Sequence, residues 1–564
     1  MPYGYDGVYV IHGPPGTGKT TRLARTVARI CAQAPPEASD RGRSPAIVVS
    51  LTKAAAKEAA GRDLPIPTDA VSTLHSVGYR SLGAPGVVTA ALVEEEWNRR
   101  RDVQDYGFGL SPSSFTKDAD DENDDPVFRG QGDAPGDATY AEYETARHRL
   151  TPDDARSADV RRFAALWQEF KDETGAVDFT DMIEKGGPSP LCPGVILADE
   201  AQDLSPLERD YLRRLAEDTG AAVILTGDAH QAIYHWRGAD WRVLFDPSIP
   251  ADHVDVLRQS YRVPREVHAL ARSVVRRMPG YRDVEYLPRD APGCVRRENG
   301  SYRDIEGILD RAQEAWLAGR SVMLLTTTNY MADQIVFAMR DRALPYGNPW
   351  RSRRGIWNPL APRKGVTKRE RVLAVTRNAD TGEAWTLAEV RDFVKPLKTE
   401  AAGLPRGCKA RLDELCGDKR TARSFPDGDE LAGLVGDVVL RALAEGPGTR
   451  VVRWWYEHLL AGEQRAAEYP VRVYERWGRK ALVDPIVRGS KAITPGTIFS
   501  VKGGEADEVF LFPDTSRAAE EARASDDEGE AAMCRLFYVG ATRARETLHL
   551  CAPAGGRGEG SFDL

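Results

Sequence analysis

Short runs of apolar residues recur along the chain, each bounded by turn-forming residues and followed by a stretch with helical spacing. Such runs predict buried strands of a parallel sheet, because both faces of that sheet are covered by helices. The first set covers residues 8–11, 47–49, 195–198 and 223–225. The second set covers residues 322–325, 497–499, 509–512 and 548–551. The pattern therefore predicts an α/β fold in which one parallel-sheet architecture occurs twice.

A polar region of roughly 80 residues interrupts the first set of strands. It contains an acidic run, Asp118–Asp125, and it is predicted to be an inserted helical subdomain that carries a solvated loop. A later acidic patch, Glu520–Glu530, separates two strands of the second set and is predicted to be a loop.

A second interruption lies between residues 331 and 489. It has helical windows, Pro/Gly punctuation and two basic stretches, Arg351–Arg354 and Arg363–Arg371. We interpret it as a second, largely helical insertion, placed in the second α/β unit.

Composition limits the class of protein without naming its function. The 564 residues carry 77 Lys+Arg against 85 Asp+Glu, a net charge of −8, so any nucleic-acid site has to be local. Seven scattered cysteines without a C-x-x-C pair favour buried free thiols over a disulfide framework or a structural zinc. The chain shows no run of about 20 apolar residues and no signal peptide, which predicts a cytoplasmic protein with no membrane partner.

The segment after the first strand has the spacing of a phosphate-binding loop. It reads Gly13-Pro-Pro-Gly16-Thr17-Gly18-Lys19-Thr20, matches G-x-x-x-x-G-K-[ST], and precedes the helical window Leu23–Ile30. Backbone N–H groups of such a loop surround phosphates, Lys19 would reach the β- and γ-phosphate oxygens, and Thr20 would offer its hydroxyl to Mg²⁺. The sequence therefore predicts a site for a nucleoside triphosphate.

Two adjacent carboxylates end the predicted strand 195–198. Asp199 is predicted to hold Mg²⁺, and Glu200 to orient or deprotonate an attacking water. Hydrolysis is therefore predicted in addition to binding.

From Asp199 onward the motifs resemble those of the UvrD/PcrA/Rep helicases of superfamily one. Asp199-Glu-Ala-Gln-Asp203 begins the match, and Asp178-Phe-Thr-Asp181 is a weaker one before it. Five other segments follow the order of the family's motifs Ia, Ib, III, IV and V: Leu51–Ala55, Ser72–Ser76, Thr226–Ala239, Leu257–Arg262 and Thr497–Glu505. Motif VI is represented by Arg535–Arg545, in which Arg543 follows a predicted strand at Tyr538–Val539.

This resemblance implies two RecA-like domains with ATP bound in the cleft between them. Domain 1A would comprise residues 1–84 and 165–248, and domain 2A residues 249–330 and 490–564. The inserted subdomains would be 1B, residues 85–164, and 2B, residues 331–489.

The resemblance also implies roles for residues around the nucleotide. Gln231 would sense the γ-phosphate, Tyr261 would stack on adenine, and Glu505 would contact the ribose. Arg262 and Arg543 would reach the γ-phosphate from the second domain, and the permanent charge of a guanidinium suits that task.

A track for single-stranded DNA is implied by the same motifs. Tyr234 and Trp236 would stack on bases, while Thr73 and His75 would contact the strand's backbone. The form of motif III favours the branch of the family that moves 3′→5′. The basic stretches of 2B are either duplex contacts or a solvated basic face.

The leading hypothesis is an ATP-dependent DNA helicase or translocase that uses ATP and Mg²⁺ and binds single-stranded DNA and single/double-strand junctions. One alternative is a DNA-binding ATPase subunit of a defence or recombination complex that unwinds little on its own. Another alternative is an RNA helicase, which would differ from a DNA helicase in contacting the 2′-OH groups of its substrate. The sequence does not identify a protein partner.

Overall fold

The structure is a computed structural model that describes residues 6–35, 43–50, 64–115, 134–349, 372, 386–416, 433–444, 449–482, 493–555 and 560–564. The chain divides into two compact units. The first comprises residues 1–299, 325–329 and 497–564, and the second comprises residues 300–324 and 330–496. The assignment to 1A, 1B, 2A and 2B stays a prediction. Strands and helices are numbered below in chain order.

The first unit contains a sheet of six parallel strands, here called the first sheet, in the order β3-β2-β6-β7-β1-β8. Four of them contain the apolar runs seen in the sequence, and every residue of β2, β6 and β7 is buried. The bounds are Val8–His12 (β1), Ala46–Ser50 (β2), Val71–Thr73 (β3), Val195–Asp199 (β6), Ala222–Gly227 (β7) and Val254–Val256 (β8). This confirms the first part of the α/β prediction.

Three of the four helices described next to the first sheet, Lys19–Gln33 being the exception, begin at side-chain caps. Ser205 caps its helix reciprocally with Glu208, and Asp178 does the same with Asp181. The helices are Lys19–Gln33 (α1), Leu74–Ser81 (α2), Phe179–Glu184 (α7) and Pro206–Thr219 (α8).

A helical region of the first unit has an aromatic core of its own. Trp97, Phe163 and Trp167 pack there, with the two indole rings 4.9 Å apart and nearly perpendicular. Its helices are Ala90–Glu95 (α3), Arg101–Asp105 (α4), Asp137–His148 (α5) and Ala158–Thr174 (α6), and two short strands pair in parallel, Gly86–Val87 (β4) and Ala176–Val177 (β5).

A second parallel sheet lies in the same unit, with β16 paired to β11 on one side and to β14 on the other. These strands are Cys294–Arg297 (β11), Ala506–Leu511 (β14) and Ala544–Leu550 (β16). The accompanying elements are the strands Gln259–Pro264 (β9), Leu287–Arg289 (β10), Asp514–Thr515 (β15) and Gly560–Ser561 (β17), and the helices Arg265–Arg276 (α9), Arg517–Ser525 (α17) and Asp527–Ala541 (α18). The repeated parallel-sheet architecture is consistent with two RecA-like domains, as predicted.

Three local predictions were wrong in this part of the chain. The strand expected at 497–499 is Ile493–Thr497 (β13), because the chain turns where Ser500 N–H donates to Thr497 Oγ1. The acidic patch Glu520–Glu530 is helical, since Asp526 caps α18 and acidic side chains suit a helix N-terminus. Tyr538 and Val539 lie in α18 and not in a strand.

The second unit is largely helical in its described part. Trp455 Nε1 donates to Phe393 O at 3.0 Å, and Trp316 packs edge-on against Trp477. Its helices are Glu306–Leu317 (α10), Asn329–Asp341 (α11, which begins at the border of the first unit), Leu387–Val394 (α12), Cys408–Cys416 (α13), Asp437–Ala444 (α14), Thr449–Glu457 (α15) and Ala461–Trp477 (α16). The strand Val322–Thr326 (β12) begins in this unit.

Several sequence predictions fall outside the described residues: the acidic run Asp118–Asp125, both basic stretches and the motif Ia segment Leu51–Ala55. All seven cysteines are free thiols; Cys408, Cys534 and Cys551 are buried and Cys192 is exposed. Among the described helices, none has the length and apolar character needed to cross a membrane.

Candidate functional site

The predicted phosphate loop joins β1 to α1. Gly18 has the left-handed φ of 83° and immediately precedes α1, so the helix begins at Lys19. Lys19 Nζ donates to Gly13 O at 2.7 Å, and a Cβ atom at Gly13 would lie 2.1 Å from Lys19 Cγ. Thr17 Oγ1 closes the loop on Pro14 O at 2.8 Å. Thr20 lies one residue into α1.

Strand β9 approaches the loop so closely that Gly16 has no room for a side chain. Gly16 has φ +72°, and a Cβ there would lie 2.4 Å from Arg262 Cβ. The N–H of Tyr261 donates to Gly16 O at 2.8 Å. The motif IV segment therefore contacts the phosphate loop directly, with the Tyr261 ring 72% exposed beside it.

The two predicted carboxylates follow β6. Asp199 Oδ1 accepts from Thr226 Oγ1 at 2.6 Å and from the N–H of Glu200, which has φ 54°. Burial, and then the charge of Glu200, raise the pKa of Asp199 to about 6. Burial opposes ionisation of Glu200 too, but Lys19 and Lys502 outweigh it and lower the pKa of Glu200. The pair is therefore split, with Glu200 held as the carboxylate.

Gln231 links the first sheet to motif VI. Its Nε2 donates to Asp228 Oδ2 at 2.8 Å, and its Oε1 accepts from Arg543 Nη2 at 2.9 Å. Arg543 is buried, and its other hydrogen bonds go to neutral oxygens, among them Gly504 O at 3.2 Å. Burial and the charge of Arg262 lower the pKa of Arg543. Among the residues that the structure describes, none supplies this guanidinium with a directly bonded counter-charge, and an anion would stabilise it.

Arg262 and Glu505, both predicted to contact the nucleotide, contact each other. Arg262 Nε donates to Glu505 Oε2 at 2.5 Å, and Arg545 donates to the other oxygen at 2.9 Å. Although burial acts the other way, these cations lower the pKa of Glu505.

Tyr234 packs against side chains of motif V, one of which in turn contacts motif II. Its ring is only 2% exposed, lies beneath Lys502 Nζ at 4.7 Å and packs against Phe499. Lys502 also forms an ion pair with the buried Asp203. The neighbouring Trp236 belongs to a short 3₁₀ helix, His235–Arg237, and its side chain is outside what the structure describes.

Thr73 and His75 lie at the start of α2. Thr73 caps the helix by accepting from Ser76 N–H at 3.2 Å. The His75 ring stands edge-on to Phe179, with 6.4 Å between centroids. Phe179 is 36% exposed and begins α7, so an aromatic surface is open beside His75. We did not single out Phe179 from the sequence, although its place inside the Asp178–Asp181 motif was a usable signal.

The two aspartates that flank Phe179 belong to a buried ionic network. Arg147 Nη1 and Nη2 donate to Asp178 and Asp181 at 3.0 and 2.8 Å. Lys171 Nζ donates to the same two carboxylates at 2.8 and 2.6 Å. Two buried cations thus contact both carboxylates, Arg147 also pairs with Glu144 and Glu184, and Phe179 lies at a helix start that this network holds in place.

Comparison with known proteins agrees with this geometry. The sequence matches the AAA domain family over residues 4–237. The ATP-dependent DNA helicase UvrD2 of Mycobacterium tuberculosis (strain ATCC 25618 / H37Rv) is 27% identical over 439 residues, which cover 73% of this chain and 53% of that protein. DNA helicase II of Escherichia coli (strain K12) is 31% identical over 199 residues, which cover 32% of this chain and 28% of that protein. These similarities support the assignment of the chain to the UvrD-like DNA helicase superfamily.

These similarities agree with the resemblance to the UvrD/PcrA/Rep helicases predicted from the motifs. F-box DNA helicase 1 of Gallus gallus is also similar, 30% identical over 189 residues, which cover 31% of this chain and 18% of that protein. The chain spans about half the length of the UvrD2 relatives it matches, 53% of each.

Proposed function

We propose that the chain is an ATP-dependent DNA helicase or translocase that moves 3′→5′ along single-stranded DNA. The observation that carries the proposal is the contact between Arg543 Nη2 and Gln231 Oε1 at 2.9 Å. It joins motif VI to the segment after β7, beside the loop that would hold the triphosphate. A buried arginine bonded to neutral oxygens at that place is suited to the charge of a transferred phosphoryl group.

ATP and Mg²⁺ fit the donor groups of the site. In this proposal the loop Gly13–Thr20 surrounds the phosphates, and Thr20 and Asp199 hold Mg²⁺, whose charge would offset that of the β- and γ-phosphate oxygens. Glu200, kept ionised by Lys19 and Lys502, orients the attacking water and accepts its proton. Tyr261 stacks on the base through its exposed ring.

Arg262 and Arg543 would act on the γ-phosphate only while motif IV contacts the phosphate loop. Arg262 has to exchange its Glu505 partner for phosphate, while Arg545 remains bonded to Glu505. Domains 1A and 2A, with 1B and 2B as insertions, are the parts whose movement this exchange would drive.

For the DNA track we propose Thr73, His75 and Trp236, with Phe179 added as a stacking platform. The exposed ring of Phe179 next to His75 supports that addition, because bases stack on aromatic faces irrespective of sequence. Tyr234, whose ring is covered by Lys502 and Phe499, would need a rearrangement to stack on a base.

The test is ATP hydrolysis with and without single-stranded DNA. We expect DNA to stimulate hydrolysis, and Lys19→Ala and Glu200→Gln each to abolish it. Arg517→Ala is a matched surface control, since the ion pair that Arg517 forms within the described part of the chain is with the exposed Glu521 on its own helix. Hydrolysis that ignores DNA would refute the proposal.

Direction and unwinding need a separate assay on 3′-tailed and 5′-tailed duplexes. ATP-dependent displacement from the 3′-tailed substrate alone supports 3′→5′ movement. DNA-stimulated hydrolysis without displacement from either substrate would instead favour the ATPase-subunit alternative. Stronger stimulation by RNA than by DNA of equal sequence would favour an RNA helicase.

A further inference from the structure

Two buried hydroxyl groups hold the outer side of the phosphate loop. Ser260 Oγ donates to Pro15 O at 2.9 Å, and Tyr286 Oη donates to the same oxygen at 3.0 Å. We call this pair the hydroxyl clamp. A carbonyl oxygen has two lone pairs, so the clamp satisfies Pro15 O completely.

Each hydroxyl of the clamp is held in place by its own surroundings. Ser260 Oγ accepts the N–H groups of Arg262 and Val263 at 3.2 and 3.1 Å, which leaves its hydrogen for Pro15 O. The Tyr286 ring packs 4.5 Å from the ring of His268, whose Nε2 lies 3.1 Å from Tyr286 O. Helix α9 and strand β9 therefore hold both hydroxyls in place.

The clamp fixes the direction of one backbone N–H group. In a trans peptide the C=O and N–H bonds point in opposite directions. Because Pro15 O points outward to the clamp, the N–H of Gly16 points away from it, toward the inside of the loop. Inward N–H groups are what a phosphate loop uses to bind phosphate oxygens. Flipping this peptide would leave Pro15 O unpaired and bring its negative end toward the phosphates.

We propose that Tyr286 and Ser260 are positioning residues for the nucleotide phosphates, acting through the Pro15–Gly16 peptide. The inference rests on the proposed nucleotide binding and extends it to two residues outside the phosphate-loop motif. The hydroxyl clamp supplies no atom to the reaction; it keeps the Gly16 N–H directed at the β-phosphate.

Tyr286→Phe removes one clamp hydroxyl and keeps the ring. Loss of one buried hydrogen bond corresponds to about a 2- to 10-fold change in an equilibrium constant. We therefore expect Tyr286→Phe to weaken binding of a fluorescent ADP, and to raise KM for ATP, by about that factor, with kcat at saturating ATP unchanged within about twofold. The double variant with Ser260→Ala should weaken ADP binding by more than the product of the two single effects, because only then is Pro15 O left unpaired.

Tyr211→Phe is the matched control. Tyr211 is likewise buried and donates to a backbone carbonyl, Gly187 O at 3.1 Å, in the core beside α8. We expect both tyrosine variants to lose similar thermal stability, and only Tyr286→Phe to lose ADP affinity. Unchanged ADP affinity in Tyr286→Phe, or an equal loss in Tyr211→Phe, overturns the inference while the proposed function stands. A wild-type chain that binds no ADP would instead overturn the proposed function.

Discussion

Replacing Lys171 by methionine tests how the Asp178–Asp181 motif is held. Lys171 is 2% exposed, and its Nζ lies 2.8 and 2.6 Å from the carboxylates of Asp178 and Asp181. Arg147 contacts the same two carboxylates at 3.0 and 2.8 Å. The variant therefore leaves these two buried carboxylates with the buried Arg147 and, on Asp181, the partly exposed Lys185.

The exposure of the cation that is removed decides how much stability each variant is expected to lose. Breaking a buried ion pair by removing one partner costs about 3–5 kcal/mol, since the remaining charge stays buried and uncompensated. Lys185 offers a matched comparison, because its Nζ lies 3.1 Å from the same Asp181 carboxylate but its side chain is 44% exposed. An exposed pair contributes about 0–1 kcal/mol, so Lys185→Met should cost at most that.

Hydrogen exchange of peptides from residues 137–184 measures the local free energy of opening, and urea denaturation measures the global one. We expect Lys171→Met to lower the local value by at least about 2 kcal/mol more than Lys185→Met does. Equal effects of the two variants would refute the conclusion that burial determines the strength of this network.

Three further predictions concern pH, catalysis and DNA. Burial, and then the charge of Asp178, raise the pKa of Glu144 to about 7. The neutral form of Glu144 therefore stabilises the fold. This stabilisation is fully present below the group's ordinary pKa of 4.5 and is lost as pH rises through about 7. Glu144→Gln should therefore flatten the fall in the free energy of unfolding between pH 4.5 and 7, as measured by urea denaturation; an unchanged slope would contradict this. Arg543→Lys should lower kcat for ATP by about 10³-fold or more, while the affinity for ADP stays within about twofold of the wild-type value. If the single-turnover rate falls by less than about tenfold, Arg543 does not act on the γ-phosphate. Phe179→Ala should weaken single-stranded DNA binding by about 1–3 kcal/mol, measured by fluorescence anisotropy. This loss should be larger than the loss caused by Tyr106→Ala, which removes another exposed aromatic side chain.

The sequence predicted the parts of the fold that local patterns determine. Residues 195–198 form an uninterrupted apolar run, and the structure extends it by one residue, to Asp199. The phosphate loop was predictable because its strand, glycines and helix are contiguous. The strand at 493–497 was missed because its sequence contains Pro495 and Gly496, which normally punctuate strands.

Contacts between distant segments were not predictable from spacing. Tyr286 lies 271 positions from Pro15, and no periodicity connects a tyrosine at the start of β10 with a loop after β1. Spacing puts Lys171 on the same buried face of α6 as Phe163 and Trp167, but it does not reveal the carboxylates of the Asp178 capping box that compensate the lysine's charge. The acidic patch 520–530 is helical although its charge predicts a solvated loop, because carboxylates at a helix start are stabilised by the helix itself.

The two proposed arginine fingers differ in how they are held, and this suggests an order of events at the site. Arg543 already contacts Gln231 and is bonded to neutral oxygens, so a phosphate can approach it without breaking an ion pair. Arg262 is paired with Glu505, but Arg545 bonds the other oxygen of that carboxylate and would keep it compensated after Arg262 leaves. The exchange at Arg262 therefore costs less than separating an isolated pair, and Arg543 is the arginine expected to engage a triphosphate first.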